Sequence, residues 1–254
     1  MNQKEKILSD TKKKKMCSLE RRGLIFILTL TGEGEHRLNP PLLDAILSCL
    51  HQVSTSQGGA ALITTSHGKF FSNGFDLKWV EAAGPENIPS RFHTVGEKLK
   101  QITLALMNLP MPTIAAVCGH AAAAGFLFAL SHDYIFMRKD RGFLYMSELD
   151  IGLVLPNFFM SVLRAKIPKP GVLREVVLEA RKITGREAEE KGIIARGLSD
   201  SGETMASAVR FMEELSAKGW DGRVYAGIRR AAFPEIVEAA SSSMEGKGPI
   251  GSRL

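Results

Sequence analysis

Four short stretches with apolar centres, LIFILTL (24–30), GGAALITTS (58–66), PMPTIAAVCG (110–119) and YIFMRKD (134–140), constrain this chain more than any other feature. Each is too brief for a helix, carries β-branched or aromatic residues, and lacks the polar alternation of a strand with one wet face. Runs of that kind are strands covered on both sides. The intervals between them have helical character. Asn39 stands where it would cap a helix opening on Pro40 and Pro41, residues 89–109 are helix-like, and AAAAGFLFALSHD (121–133) has the length and small side chains of a buried helix. Strand and helix in alternation predict βαβ units, hence an α/β chain with a parallel sheet and right-handed crossovers.

Beyond residue 157 the pattern turns helical. ITGREAEEKGI (183–193) holds a capping box at Thr184 and Glu187, and GETMASAVRFMEELSAKG (202–219) spaces its apolar residues along one helix face. The expected organisation is a disordered basic extension over 1–16, a core over 17–195, a helical region over 196–245 and a flexible tail over 246–254.

A chain of 254 residues with 44% hydrophobic residues can bury a full core. Its formal charge of +6 invites a nucleic-acid reading, but six lysines against Glu5 and Asp10 put +4 of that charge in residues 1–16. The remainder is close to neutral, so no nucleic-acid partner is expected. No apolar run reaches the roughly 18 residues of a membrane span, and the N-terminal run is too polar for a signal peptide. Cys17, Cys49 and Cys118 form no C-x-x-C pair, and the six histidines have no metal-ligand spacing. Neither a disulfide framework nor a metal site is expected, and a reducing compartment fits. The last residues, Ser252-Arg253-Leu254, differ by one Lys-to-Arg change from the Ser-Lys-Leu address of peroxisomal proteins. Gly, Ser and Pro before them would leave the carboxylate accessible, so the expected localisation is the peroxisome and an expected partner its import receptor.

No P-loop, GxGxxG, HExxH or G-x-S-x-G occurs, which disfavours nucleotide hydrolases, dinucleotide enzymes, zincins and α/β-hydrolases. Three stretches remain as candidates for chemistry. In KFFSNGFDL (69–77), Asn73-Gly74 between apolar pairs is a hairpin signal, yet DLKWVEAAG continues as a helix-like segment. In CGHAAAAGF (118–126), small residues surround a strand-to-helix junction, where unpaired N–H groups face outward and a ligand can approach. Two such turns after neighbouring parallel strands could aim two N–H donors at one oxygen, making an oxyanion hole; close packing through alanines is the plainer account. In GFLYMSELDIGLVLP (142–156), Glu148 sits in apolar company that would raise its pKa toward that of a general base working near neutrality. A capping box between Ser147 and Asp150 is the competing local account.

Taken together, in this order and spacing, these stretches and ITGREAEEKGIIARGL resemble the crotonase (enoyl-CoA hydratase/isomerase) superfamily from about Glu20 to Ala217. The resemblance implies a crotonase fold of repeated ββα units forming a spiral core, with a C-terminal helical region that makes trimers or dimers of trimers. It assigns the oxyanion-hole N–H groups to Phe75 and Ala124 and the acid/base to Glu148. Ser72, Asn73, Gly74, Asp76, Leu77, Gly125 and Leu127 would line the substrate, an acyl-CoA, with no metal and no cofactor beyond the CoA carried by the substrate. Hydratases of the superfamily use two glutamates, and the first of those positions falls on Leu127. One acid in a dry pocket suits moving a proton, as in the monofunctional Δ3,Δ2-enoyl-CoA isomerases, and HRLNP, PMPTIAAV, SHDY and RGFLYMSELDI resemble the plant peroxisomal members of that group. Asp150 stays open as the base or as a partner of Glu148. The alternatives are a hydratase or thioesterase-like enzyme, or a non-catalytic acyl-CoA-binding protein on the same fold.

Overall fold

The four apolar runs become the central strands of one sheet. A computed structural model describes residues 15–241 apart from 33, 59 and 168, so most of the basic extension and the whole tail with Ser252-Arg253-Leu254 lie outside the described residues. In chain order the elements are β1 (Cys17–Arg22), β2 (Ile25–Leu30), α1 (Pro40–Thr55), β3 (Ala61–Ser66), β4 (Phe70–Ser72), α2 (Leu77–Glu81), α3 (Ile88–Asn108), β5 (Thr113–Val117), β6 (His120–Ala122) and α4 (Ala124–Leu130). They continue as β7 (Tyr134–Arg138), β8 (Phe143–Tyr145), α5 (Asn157–Lys166), α6 (Pro170–Leu178), β9 (Ile183–Thr184), α7 (Gly185–Glu190), β10 (Arg196–Leu198), α8 (Ser201–Ser216), α9 (Gly222–Ala232) and α10 (Pro234–Ser241).

Among the described residues the main sheet has the order β1-β2-β3-β5-β7-β10, with β2, β3, β5, β7 and β10 parallel. Its continuous apolar strands are explained by cover on both faces. Phe26, Leu28, Leu30, Leu62, Ala115 and Val117 point into the larger core, whereas Ile25, Ile27, Ile63, Ile114, Ala116 and Phe136 point under α8, against Ala208 and Met212. Burying each of the larger of these side chains is worth about 1.5–3 kcal/mol. The antiparallel β1, joined to β2 through Gly23 at φ +59°, has no counterpart in the sequence-based expectation. It ends the sheet order, and its side chains pass from buried at Cys17 to exposed at Arg22, as on an edge strand.

A second sheet of order β4-β6-β8-β9 follows the first. After each of β3, β5 and β7 the chain makes a second strand of three residues, producing the ββα repeat that the resemblance implied. Caps behave as the sequence indicated. Asn39 Oδ1 accepts the Leu42 N–H at 3.1 Å, and Thr184 and Glu187 bond each other's backbone reciprocally. The main sheet runs past residue 195, because β10 pairs with β7. The C-terminal helices are anchored by Arg229, which is buried, bonds both Asp133 oxygens at 2.6 Å, and donates to the carbonyls of Leu106, Met107, Leu109 and Met111. No helix among the described residues is long and apolar enough to cross a membrane.

Candidate active site

Strands β4, β6 and β8 lie side by side and parallel, with Phe70 opposite His120 and Ala122 opposite Tyr145. Each carries one expected site residue just past its carboxyl end: Phe75 three residues after β4, Ala124 two after β6, Glu148 three after β8. Ligands of open parallel sheets bind outside that edge. Neighbouring strands thus gather residues that are 73 positions apart in the chain.

The turn after β4 is held by the segment preceding α1. Asn73 N–H donates to the Glu35 carbonyl at 2.9 Å, Leu38 N–H to the Gly74 carbonyl at 2.8 Å, and Asp76 N–H to the Leu38 carbonyl at 3.2 Å. Leu38 and Phe75 therefore form a parallel bridge, in which the bonds are made by the residues on either side of Phe75. Its own N–H turns to the opposite side and donates to no group among the described residues. Gly74, at φ +74°, makes that turn possible, and a Cβ there would lie 3.1 Å from the Ala122 carbonyl oxygen and 3.6 Å from the Ala124 nitrogen. The two turns touch.

Ala124 is buried and opens α4, so its N–H is one of the first-turn donors that a helix cannot satisfy internally. Ala123 before it has φ +50° and ψ −125°, a conformation strained for any side chain, and is fixed there by donating its N–H to the Tyr145 carbonyl of β8 at 2.8 Å. The strand that leads to Glu148 thus sets the second turn. Gly125 is obligatory: a Cβ would stand 2.4 Å from the Ser72 carbonyl oxygen.

Glu148 lies in a turn over 148–152, closed by Leu153 N–H on its carbonyl at 2.8 Å. Its Oε2 is buried and has no hydrogen-bond partner among the described residues. Burial pushes its pKa from 4.5 to about 7, against a smaller opposite pull from the N–H groups of Glu148 and Ser147. The Ser147–Asp150 capping box does not form, since no helix starts here and the Asp150 side chain is exposed. The same turn exposes Leu149 at 56%.

Other residues singled out in the sequence have packing duties. Ser72 Oγ–H donates to the His36 carbonyl at 2.8 Å, Asn73 Nδ2 donates to Glu35 Oε2 at 3.2 Å, and Asp76 caps α2 by accepting the Trp79 N–H. Leu77 is the first residue of α2 and half-buried, and the hairpin signal at Asn73-Gly74 leads into that helix. Leu127 is 2% exposed among core hydrophobics of α4. The residues that sequence reasoning passed over are Glu35, His36 and Leu38, whose part in the site comes from pairing with Asn73–Asp76, which α1 and β3 separate from them along the chain.

A family model described as enoyl-CoA hydratase/isomerase matches residues 25–225. The chain belongs to the enoyl-CoA hydratase/isomerase family. Among its relatives, the Arabidopsis thaliana protein named enoyl-CoA delta isomerase 2, peroxisomal, is 53% identical over 87% of this chain and 93% of its own length. Enoyl-CoA delta isomerase 1, peroxisomal, of the same plant is 49% identical over 87% and 91%. A putative enoyl-CoA hydratase of Thermus thermophilus is 26% identical over 79% of this chain and 78% of its own. Among solved structures, an apo enoyl-CoA isomerase of Mycobacterium tuberculosis superposes with a TM-score of 0.81 at 18% identity, covering 91% of this chain and 96% of that one. The crotonase fold of the enoyl-CoA hydratase/isomerase family is therefore the fold of this chain.

Proposed function

We propose that this family member is a Δ3,Δ2-enoyl-CoA isomerase, which moves the double bond of a 3-enoyl-CoA into conjugation to give the trans-2-enoyl-CoA. Relatives about half identical in sequence over most of their length, named enoyl-CoA delta isomerases, support isomerase activity. The observation that carries the chemistry is the state of Glu148: half-buried, with its Oε2 fully buried and unpartnered and a pKa of about 7, so that its carboxylate can both take and return a proton near neutrality. Leu127, where a second acid would hold water in a hydratase, is a core hydrophobe.

In this reading the thioester oxygen lies between the N–H groups of Phe75 and Ala124. Glu148 takes a proton from C2, the C2–H pair delocalises over C1 to C4, and the negative charge settles on the thioester oxygen as a dienolate. Protonated Glu148 then delivers the proton to C4, leaving C2=C3. Two fixed donors at that oxygen stabilise the dienolate without reorganising, and losing one such donor typically costs about a hundredfold or more in rate. No metal or redox cofactor is invoked; CoA is part of the substrate. Asp150, exposed to solvent, has no step.

Peroxisomal localisation, a role in fatty-acid β-oxidation and a trimeric or hexameric assembly belong to the same proposal. Two relatives named peroxisomal support the first, together with Ser252-Arg253-Leu254. Exposed Trp220, Val224 and Ile228 beside and along α9 support an assembly surface. The test is direct: purified protein is given 3-enoyl-CoAs of several chain lengths and followed at the absorbance of the conjugated thioester. Hydration of a 2-enoyl-CoA without isomerisation would overturn the reading.

A further inference from the structure

His36 has no step in that mechanism, yet the molecule maintains it in two unfavourable states. Its backbone is left-handed at φ +46°, where residues other than glycine are uncommon. Its ring is buried, the residue being 4% exposed, with Nε2 3.1 Å from the His67 carbonyl oxygen. Because the partner is a carbonyl, Nε2 carries the hydrogen and Nδ1 is bare. That Nδ1 is buried and has no partner among the described residues. A strained backbone and an orphaned ring nitrogen persist together only where the surroundings over-determine them.

Those surroundings are the clamp on the first turn of the site. His36 lies between Glu35, whose carbonyl accepts the Asn73 N–H, and Leu38, whose N–H and carbonyl bond either side of Phe75. Its ring reaches the connection that enters β4, at His67, while its carbonyl accepts the Ser72 hydroxyl at the end of β4. One residue therefore ties the clamp to both ends of the strand that carries the turn. A slip of the 35–38 segment by one residue would hand the Phe75 N–H a carbonyl partner and remove it from the site.

We infer that His36 is a positioning residue for the first oxyanion donor: its two tethers hold Glu35–Leu38 in the register that leaves the Phe75 N–H free and directed at the thioester oxygen. This rests on the reading of Phe75 as a donor given above. A ring that merely filled space would matter to stability alone.

The experiment uses His36→Gly, which removes the ring while tolerating the left-handed backbone, and His36→Asn, which keeps a side-chain donor on a residue type that also adopts it. Ser72→Ala removes the other tether and supplies the same comparison if the glycine variant does not fold. Rates are taken per folded molecule, well below each variant's melting point. The expected result is a fall in kcat of about tenfold or more for His36→Gly, with KM changed less than about twofold, because the lost interaction belongs to the transition state. His36→Asn recovers most of the loss, and the pH limb set by Glu148 stays in place in every variant. An unchanged kcat, a loss carried by KM alone, or a displaced pH limb would overturn the inference. Binding separates this outcome from a failure of the isomerase reading. A 3-ketoacyl-CoA, which presents an enolate oxygen, should bind His36→Gly about tenfold more weakly while a saturated acyl-CoA of equal length binds unchanged. Equal weakening of both, or of neither, refutes the positioning role even if the wild type isomerises nothing.

Discussion

Replacing Glu148 with Gln should abolish isomerisation and at the same time make the protein more stable, by an amount that depends on pH in a defined direction. The carboxyl is held near pKa 7 in the folded chain by burial, against an ordinary 4.5. Below pH 4.5 it is protonated folded and unfolded alike and costs nothing. Between 4.5 and 7 the unfolded chain ionises first, so the folded state binds more protons and stability falls as pH rises. At about 1.36 kcal/mol per pH unit, the span from 4.5 to about 7 amounts to about 3 kcal/mol, all of it lost by pH 8. Glutamine has no charge to bury, but its amide brings donors that are themselves imperfectly satisfied, so the net gain at pH 8 should be about 2 kcal/mol. For a chain of this size that is a rise of about 4–8 °C in Tm. Thermal melts of both proteins from pH 4.5 to 8.5, with isomerase rates on the same samples, test this. The variant should melt slightly below wild type at pH 4.5, cross it as pH rises, and stand above it with a difference that grows through pH 7. A difference independent of pH, or a stabilised variant that still isomerises at a near-native rate, would refute the placing of a desolvated general base at Glu148.

Wild-type kcat/KM should rise as pH increases through about 7 and then level, because the base must be ionised in the free enzyme; a profile flat from pH 5 to 8 contradicts this. Asp150→Asn should leave kcat within about twofold of wild type, since that side chain is exposed and the Glu148 environment does not include it. Gly125→Ala forces a methyl onto the Ser72 carbonyl and should cost about 1–3 kcal/mol with loss of activity, measured by urea unfolding and the same rate assay. Arg229→Met should destabilise by about 3 kcal/mol, because Asp133, largely shielded from water, loses its charged partner and keeps only neutral donors from Thr113 and Tyr225; urea unfolding measures it.

The α/β alternation was legible because each main strand is a local object: five or six apolar residues, capped by turns, whose two buried faces erase the polar alternation. Asn39, Thr184 and Glu187 were legible for the same reason, since a cap involves residues three apart. β4, β6 and β8 were not, because three residues carry no period, and they reached the reading only through the family's repeat. The site was partly legible. Phe75, Ala124 and Glu148 came from motifs; the helix-like DLKWVEAAG already argued against the hairpin account, while alanine packing and the capping box competed with the other two until the structure removed the capping box.

The amino-acid sequence by itself determined the layered α/β plan, the small residues where two turns must meet, and a pair of acids, Glu148 and Asp150, in apolar company. These depend on composition and short spacing. Tertiary structure alone decided that the Phe75 N–H is the one left over, because that follows from which bonds Leu38 makes to its neighbours. It decided that Glu148 rather than Asp150 carries a carboxylate oxygen shut off from water, since two residues of separation turn one Oε2 inward and leave the other side chain exposed. It also decided that His36 holds the turn in place, from a loop more than thirty residues away along the chain.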